Sequence, residues 1–408
     1  MAHSIAMFGT VQVSSKVLPE EQLLPEVQAH HDQAHCAASV IGGAFWAAGP
    51  GMMIAAAVED CSRLTVEDSR ERCAGDIFGI LSSLGGIASF LSVSLAVCGG
   101  PESVCSATIS SAITLVSAMG GLSSQMAIMC GPQPSDYWRC SQLVKGLAWI
   151  LDSFLLRIGT AVQSCGAESP NQPISTAGCF GAIVASSSFL AAAGLEIASL
   201  KVDCPSSDPP GLPAFCVRDV AGFLRSWSMG ASFASDAAGF CSKNFSPCGQ
   251  DIARAIQSVF LVVEAASGAF VACGGMSQAQ LVPSECARLN SKVVKGLSIV
   301  AAEATSAANR CGGVATAGNA CGHGIAATVA GLAQLSEMVN RAVLYCRPNL
   351  PPGSPEVSIY LCADVIRVMG LALYVALASA ADSSIECALG AAAPPKLPQV
   401  ELPIFFLS

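Results

Sequence analysis

The cysteines of this chain recur at a single spacing. All twenty fall into ten pairs, and the two members of every pair stand 25 positions apart. The pairs are Cys36/Cys61, Cys73/Cys98, Cys105/Cys130, Cys140/Cys165, Cys179/Cys204, Cys216/Cys241, Cys248/Cys273, Cys286/Cys311, Cys321/Cys346 and Cys362/Cys387. Twenty-five residues make almost seven α-helical turns, so both cysteines of a pair lie on one side of a helix about 37 Å long. The spacing therefore predicts ten helices of equal length with a cysteine at each end of one face.

A stripe of β-branched residues accompanies the cysteines. The position four residues after the first cysteine of each pair is Val or Ile in nine of the ten helices. These positions are Val40, Ile77, Ile109, Val144, Ile183, Val220, Ile252, Asn290, Ile325 and Ile366. In the second helix the stripe continues with apolar residues at helical and not strand periodicity. We expect the stripe to be used up in packing helix against helix.

Two cysteines on one face suit one antiparallel partner helix that is bonded at both ends. This nested scheme gives Cys36–Cys98, Cys61–Cys73, Cys105–Cys165, Cys130–Cys140, Cys179–Cys241, Cys204–Cys216, Cys248–Cys311, Cys273–Cys286, Cys321–Cys387 and Cys346–Cys362. A rival scheme joins the end of each helix to the start of the next. The rival leaves Cys36 and Cys387 unpaired and asks one face to meet two neighbours, so the spacing favours the nested scheme, although sequence alone does not prove connectivity.

The fold class that follows is all-α: a disulfide-stapled repeat of antiparallel helical hairpins, with ten helices in five hairpins. A longer period of about 142 residues begins at Cys36, Cys179 and Cys321, so a four-helix unit is repeated two and a half times. Each hairpin then buries its face by stacking on the next. The predicted divisions are an extended N-terminal arm (1–35), unit 1 (36–178), unit 2 (179–320), a half unit (321–387) and a Pro-rich C-terminal arm (388–408). Gly49-Pro50-Gly51 predicts a kink in the first helix.

Hydropathy leaves a membrane alternative open. Hydrophobic residues make up 52% of the chain and charged residues 12%, and the third helix, residues 105–130, contains no charged residue. By length and hydropathy such helices can span a bilayer. Two observations favour a protein that is membrane-peripheral at most. Several helices carry charges near their middle, and cysteines at both ends would place half of them on a reducing side. The mid-helix charges are Asp152, Arg225, Glu264 and Glu303.

The residues that usually carry chemistry are scarce, so we expect no enzyme, no cofactor and no metal. Twenty paired cysteines indicate an oxidising compartment, and a net charge of −9 disfavours nucleic acid as a partner. His31 and His35 have the spacing of a helical metal pair, but a solvated polar lead-in is the expectation, and His323 is expected to be a polar helix start. A stripe of Arg288, Lys292 and Lys295 is expected to be a solvated face.

Antiparallel helices with twin cysteines, bonded outer to outer and inner to inner, resemble the coiled-coil-helix-coiled-coil-helix proteins of the mitochondrial intermembrane space. That family has a shorter cysteine interval and one hairpin. The resemblance implies import through a disulfide relay into the intermembrane space. A fainter resemblance, to the Ala-rich duplicated helical pigment carriers of dinoflagellate plastids, implies instead a carrier in a plastid lumen.

The expected function is a non-catalytic structural or bridging subunit of a larger assembly, a respiratory complex or supercomplex on the intermembrane-space side. Its protein partners are expected to be held by apolar anchors in the two arms. These anchors are Leu18, Leu23, Leu24, Val27, Ile404, Phe405, Phe406 and Leu407. The alternatives are an apolar-ligand or pigment carrier, a photosystem-associated subunit of a plastid lumen, and a secreted coat protein.

Overall fold

The computed structural model describes residues 25–62, 69–99, 104–131, 136–166, 172–204, 213–242, 247–274, 283–312, 317–346 and 359–391. All secondary structure in these ranges is helical. The segments are α1 (Pro25–Ala47), α2 (Gly49–Cys61), α3 (Ser69–Val97), α4 (Val104–Met129), α5 (Tyr137–Cys165), α6 (Gln172–Asp203), α7 (Pro213–Ser242), α8 (Pro247–Ala272), α9 (Pro283–Gly312), α10 (Ala317–Tyr345) and α11 (Ile359–Ala391). The predicted all-α fold is confirmed.

Segments α1 and α2 are the two halves of one long helix. The helix is interrupted at Ala48, and Pro50 stands in the first turn of α2. A proline in that position lacks the N–H that would otherwise bond back into the preceding turn, so the break falls beside the predicted Gly49-Pro50-Gly51 kink. With α1 and α2 counted together, the described ranges contain the ten predicted helices.

Ten disulfides fasten the helices into five antiparallel hairpins. Each hairpin has an outer bond that closes 60–66 residues and an inner bond that closes 10–16 residues. The pairs are those of the nested scheme, from Cys36–Cys98 and Cys61–Cys73 in the first hairpin to Cys321–Cys387 and Cys346–Cys362 in the last. No cysteine is left free.

The row of hairpins closes on itself. Every helix packs on the helices before and after it in the chain, and α11 packs on both α1 and α2. We call this closing contact the seam. A cluster of aromatic residues fills it, because the ring of Phe90 on α3 lies 5.5 Å from that of Tyr374 and 6.3 Å from that of Trp46. The fold is thus a closed array, and each helix has one face towards its interior and one face outward.

Small residues let the helices approach closely. Alanine is the commonest buried apolar residue. Where α10 meets α11, a Cβ atom added to Gly331 would lie 2.9 Å from the backbone of Ala376, so only glycine fits. Larger side chains gather in a few clusters, one of which holds Phe189 and Phe233 with Trp149 packed against them.

The predicted arm boundaries differ from the observed helix ends. Helix α1 begins at Pro25, eleven residues before Cys36, so residues 25–35 belong to a helix and not to an extended arm. They are helical because this half of the first helix continues past its cysteine to pack along α11. Residues 1–24 and 392–408 lie outside the described residues, and so do the side chains of residues 25–30.

Candidate functional site: an apolar outer belt around a charged interior

The stripe of Val and Ile beside the cysteines lies on the outer surface. Seven of its members are 41–55% exposed: Val40, Ile77, Ile109, Ile183, Val220, Ile252 and Ile325. The expectation that this stripe is consumed by helix packing is therefore wrong. Helices in a closed array contact their neighbours through their flanks, and the flanks here carry mostly Ala, Gly and Ser.

Every helix adds large apolar side chains to this exposed surface, which we call the outer belt. One exposed member from each helix illustrates it: Val58, Leu84, Ile113, Val162, Leu190, Trp227, Ile256, Leu297, Leu332 and Leu377. A soluble monomer rarely exposes a contiguous apolar patch larger than several hundred Å². The belt surrounds the whole array, so it is a surface that needs a cover.

Exposed charges stand only at the rims of the belt. Among residues whose side chains are described, six charged residues are exposed, and each lies within four positions of a cysteine: Asp32, Glu59, Arg70, Arg72, Arg139 and Lys201. Between the two cysteines of a helix, the other described charged side chains are buried or half-buried. Because successive helices are antiparallel, five of these six charges lie at one rim and only Asp32 lies at the other, with a band free of exposed described charges between the rims.

The interior of the array carries the charges that the belt lacks. One charge from each helix over α5 to α10 forms a series of alternating sign, although α5, α7, α9 and α10 also bury charges of the opposite sign. Lys145 on α5 bonds Glu196 on α6 at 2.6 Å, and Arg225 on α7 bonds Glu264 on α8 at 3.0 Å. Lys295 on α9 bonds Glu337 on α10 at 3.0 Å. Two of these carboxylates contact further cations. Lys292 lies 2.9 Å from Glu264, and Arg341 and Arg288 lie 3.1 Å and 3.3 Å from Glu337.

Hydroxyl and amide groups make further hydrogen bonds to these carboxylates and ammonium groups. Ser226 donates to Glu196 Oε2 at 2.6 Å, and Ser141 donates to Oε1 at 3.2 Å. Lys295 Nζ also donates to the amide oxygen of Gln334 at 2.6 Å. Taking an ion from water into a protein interior costs several kcal/mol, and attraction offsets this only when the remaining hydrogen-bonding positions are filled. The carboxylate of Glu196 and the ammonium group of Lys295 meet that condition, whereas the Nε atom of Arg225 is buried without a hydrogen-bond partner.

Three of the ionic pairs lie between hairpins, where disulfides are missing. Disulfides join the two helices of a hairpin, whereas Lys145–Glu196, Arg225–Glu264 and Lys295–Glu337 each join two successive hairpins. Between α3 and α4, the corresponding link is a 2.6 Å hydrogen bond from Ser89 to Ser111. Polar links therefore occur at junctions that have no disulfide, and Lys292–Glu264 adds one within the α8–α9 hairpin.

Several sequence-based expectations are corrected by this arrangement. The stripe of Arg288, Lys292 and Lys295 is not a solvated face, because it points inward and each member bonds a carboxylate. The mid-helix charges that disfavoured a membrane location, Asp152, Arg225, Glu264 and Glu303, are all buried. They are on the inside because each belongs to the helix face away from the belt.

The remaining predicted site residues lie apart from this network. His323 contacts the carbonyl oxygen of Ala302 at 2.9 Å and is half-buried. His31 and His35 lie at the seam and meet a carboxylate that the sequence did not indicate. The predicted docking anchors Leu18, Leu23, Leu24 and Ile404–Leu407 lie outside the described residues, as does the side chain of Val27.

Within the described ranges, six helices are long and apolar enough to cross a membrane by length and composition. They are His31–Cys61, Ser69–Val97, Cys105–Met129, Thr176–Asp203, Cys248–Ala272 and Leu361–Ala388, with mean hydropathy from 1.4 to 1.9 over an 18-residue window. In four of them, at most 39% of that window is buried inside the protein. In these four helices, most of the apolar surface therefore faces outward.

No family model, no curated protein and no solved structure matches the chain.

Proposed function

We propose that this chain is a non-catalytic structural protein that sits in a lipid bilayer, with its outer belt against the acyl chains. The observation that carries the proposal is that, among the residues whose side chains are described, the outer belt between the helix ends exposes large apolar side chains and no charge. Water is a poor solvent for such a band, because each Leu, Ile or Val removed from water contributes about 1.5–3 kcal/mol. Acyl chains cover a surface of this kind on all sides without needing a specific partner.

Helix length supports the same proposal. All ten helices have the same 25-residue interval, which is about 37 Å of helix, against about 30 Å for a hydrocarbon core. The surplus places the cysteines and the exposed charges in the interfacial layers. A bilayer imposes one length on every helix that crosses it, whereas packing within a soluble protein does not.

The buried charges fit a bilayer as well. Ionisable side chains inside membranes face the interior of a bundle and pair with each other, since hydrocarbon solvates neither sign. Glu196, Glu264 and Glu337 all face inward and all have a cation within 3.0 Å. The charges that argue against a single isolated span are therefore compatible with a closed array.

The disulfides limit which membrane is suitable. Bonds lie at both ends of each hairpin, so both faces of the bilayer must tolerate disulfides. A membrane between two oxidising spaces satisfies this condition. We infer that the protein is oxidised and closed before it meets a reducing face, if it meets one at all.

Tryptophan fluorescence tests the proposal. Trp227 is 58% exposed in the middle of α7, whereas Trp46 is 4% exposed at the seam. In vesicles of phosphatidylcholine brominated deep in the acyl chain, we expect strong quenching of Trp227. The Trp227→Phe variant should lose most of that quenching, and Trp46→Phe should keep it. Quenching of Trp227 by aqueous iodide, with no effect of brominated lipid, would overturn the bilayer proposal.

A second candidate is the bridging subunit of a larger respiratory assembly in the intermembrane space. The disulfides at both ends of every hairpin favour this candidate, because the intermembrane space tolerates disulfides at both ends. The belt would then be covered by neighbouring subunits, and the two arms would dock on them. In this case alkaline carbonate would release the protein from native membranes, and cross-linkers placed along the belt would capture proteins and not lipid. Removal of residues 1–24 or 395–408 would weaken the association.

A further inference from the structure

The seam differs from every other helix junction in the array. Successive hairpins are joined by the chain itself, and the helices within a hairpin are joined by two disulfides. The contact of α11 with α1 and α2 has neither link, although it holds the array closed. A junction of this kind depends on noncovalent contacts alone.

Three side chains that commonly bind metal ions converge at this seam. The Nε2 atoms of His31 and His35, one turn apart on α1, each lie 2.9 Å from the same Oδ1 atom of Asp382 on α11. The two imidazole rings are 4.4 Å apart. One ligand atom from each residue can be chosen so that all three lie within 4.8 Å of one another. The last helix thus supplies the carboxylate and the first helix supplies both imidazoles.

The ring orientations suit metal binding. The Nδ1 atom of His31 lies 3.3 Å from a carboxylate oxygen of Asp32. Histidine ligands usually donate their second ring N–H to such an acceptor, which leaves the other nitrogen deprotonated and directed at the metal. The three side chains are 18–22% exposed, so an ion can reach them from solvent while they stay held by packing.

We propose that His31, His35 and Asp382 bind one zinc ion, or a similar divalent transition metal, that clasps the first helix to the last. Two imidazoles and one carboxylate form a mixed N/O set that suits Zn²⁺, with a fourth position open to water. Ligand atoms about 2.0–2.2 Å from a tetrahedral zinc ion stand roughly 3.3 Å apart. The observed 2.9 Å separations between each imidazole and Asp382 need to widen by a few tenths of an ångström, and the two imidazole nitrogens, which lie within 4.8 Å of each other, need to move closer together.

The clasp completes a pattern already present in the array. Every other junction has a strong link, which is a pair of disulfides within a hairpin or the chain connection between hairpins. A metal bond at the seam supplies the missing one and, unlike a disulfide, it is reversible. Zinc loading would then set whether the array is closed or open.

Zinc titration of the full oxidised chain, after removal of metal with a chelator, tests the proposal. We expect one Zn²⁺ per chain by calorimetry and elemental analysis, with no competition from excess Mg²⁺. His31→Gln/His35→Gln and Asp382→Asn should each weaken binding at least about 100-fold, and Asp32→Asn about 10-fold. The matched control is His323→Gln, which should bind as the parent chain does. Circular dichroism of each variant checks that it is folded.

Hydrogen exchange separates a clasp from a mere binding site. Zinc should slow amide exchange in α1 and in the C-terminal half of α11, and it should leave α6 and α7 unchanged. The His31→Gln/His35→Gln variant should lose this protection. The proposal is overturned if the parent chain binds no stoichiometric zinc. It is also overturned if the double variant binds zinc as tightly as the parent chain, or if zinc binds without protecting α1 and α11.

Discussion

The inner face and the outer belt of the same helices follow opposite rules. On α9, Lys292 and Lys295 are buried and bonded to carboxylates, whereas Val294 and Leu297 on the same two turns are 47% and 55% exposed. Globular proteins in water usually place these residue types the other way round. The comparison shows that apolar side chains face outward while charges are paired inside, which supports the proposed apolar surrounding.

The largest expected effect comes from removing an inner charge. Lys145→Met deletes the ammonium group that bonds Glu196, and it leaves that buried carboxylate with the hydroxyl groups of Ser141 and Ser226 as its remaining partners. We expect the free energy of unfolding to fall by about 3–5 kcal/mol. Denaturant unfolding of the oxidised protein, followed by far-UV circular dichroism, measures it.

The matched control for this prediction is Lys201→Met. Lys201 is exposed in the last turn of α6, so the same chemical change should alter the free energy of unfolding by less than about 0.5 kcal/mol. Equal losses at the two positions would contradict the contrast between the inner face and the rim.

The sequence predicted the helices and their pairing because both depend on local spacing. An interval of 25 residues defines a helix and its cysteine face without any knowledge of distant contacts. It did not predict which face is outside, because periodicity identifies an apolar face but not the medium that the face meets. A usable signal was present: Arg225 and Lys295 each follow a cysteine by nine residues, or two and a half turns, and so lie opposite the cysteine face.

The closure of the array was beyond sequence reasoning for a different reason. Asp382 lies 351 positions from His31, and nothing local indicates that the last helix returns to the first. The histidine pair was visible at its i, i+4 spacing, but the third group that makes it a cluster comes from the far end of the chain. Contacts of this kind depend on the sum of the small rotations between successive hairpins, which spacing does not encode.

The next largest effect is expected from overpacking the inner face. A Cβ atom on Gly86 would lie 2.1 Å from the indole ring of Trp46, which is buried at the seam. Gly86→Ala should therefore destabilise the protein by about 1–3 kcal/mol as Trp46 is displaced. The Trp46 emission maximum, read in a background in which Trp138, Trp149 and Trp227 are replaced by Phe, should shift to the red as the indole becomes wetter. An unchanged emission maximum and an unchanged unfolding curve would contradict close packing at this position.

The same substitution on the outward face should have the opposite sign. Gly194 lies within α6, is exposed, and would place a Cβ atom with no heavy atom within 4 Å. Gly194→Ala should stabilise the protein by about 0.5–1 kcal/mol, because alanine loses less backbone freedom than glycine when a helix forms. Denaturant unfolding beside Gly86→Ala gives the comparison directly, and a loss of stability at Gly194 would place this face in a packed interior.

The smallest effect is expected within the outer belt itself. Leu84 is 52% exposed on α3, whereas Leu122 is fully buried between α4 and its neighbours. Leu122→Ala should cost about 2–5 kcal/mol, because it removes buried methyl groups and leaves a cavity. Leu84→Ala leaves no cavity, so in the isolated detergent-solubilised protein it should change the free energy of unfolding by less than about 0.5 kcal/mol.

The effect of Leu84→Ala should instead appear where the belt is covered, as weaker partition of the protein into vesicles. The loss of partition should become larger when further belt leucines such as Leu91 are also replaced. Equal losses for Leu84→Ala and Leu122→Ala in detergent would mean that the belt is already packed against protein, and both the outward face and its lipid cover would then be wrong.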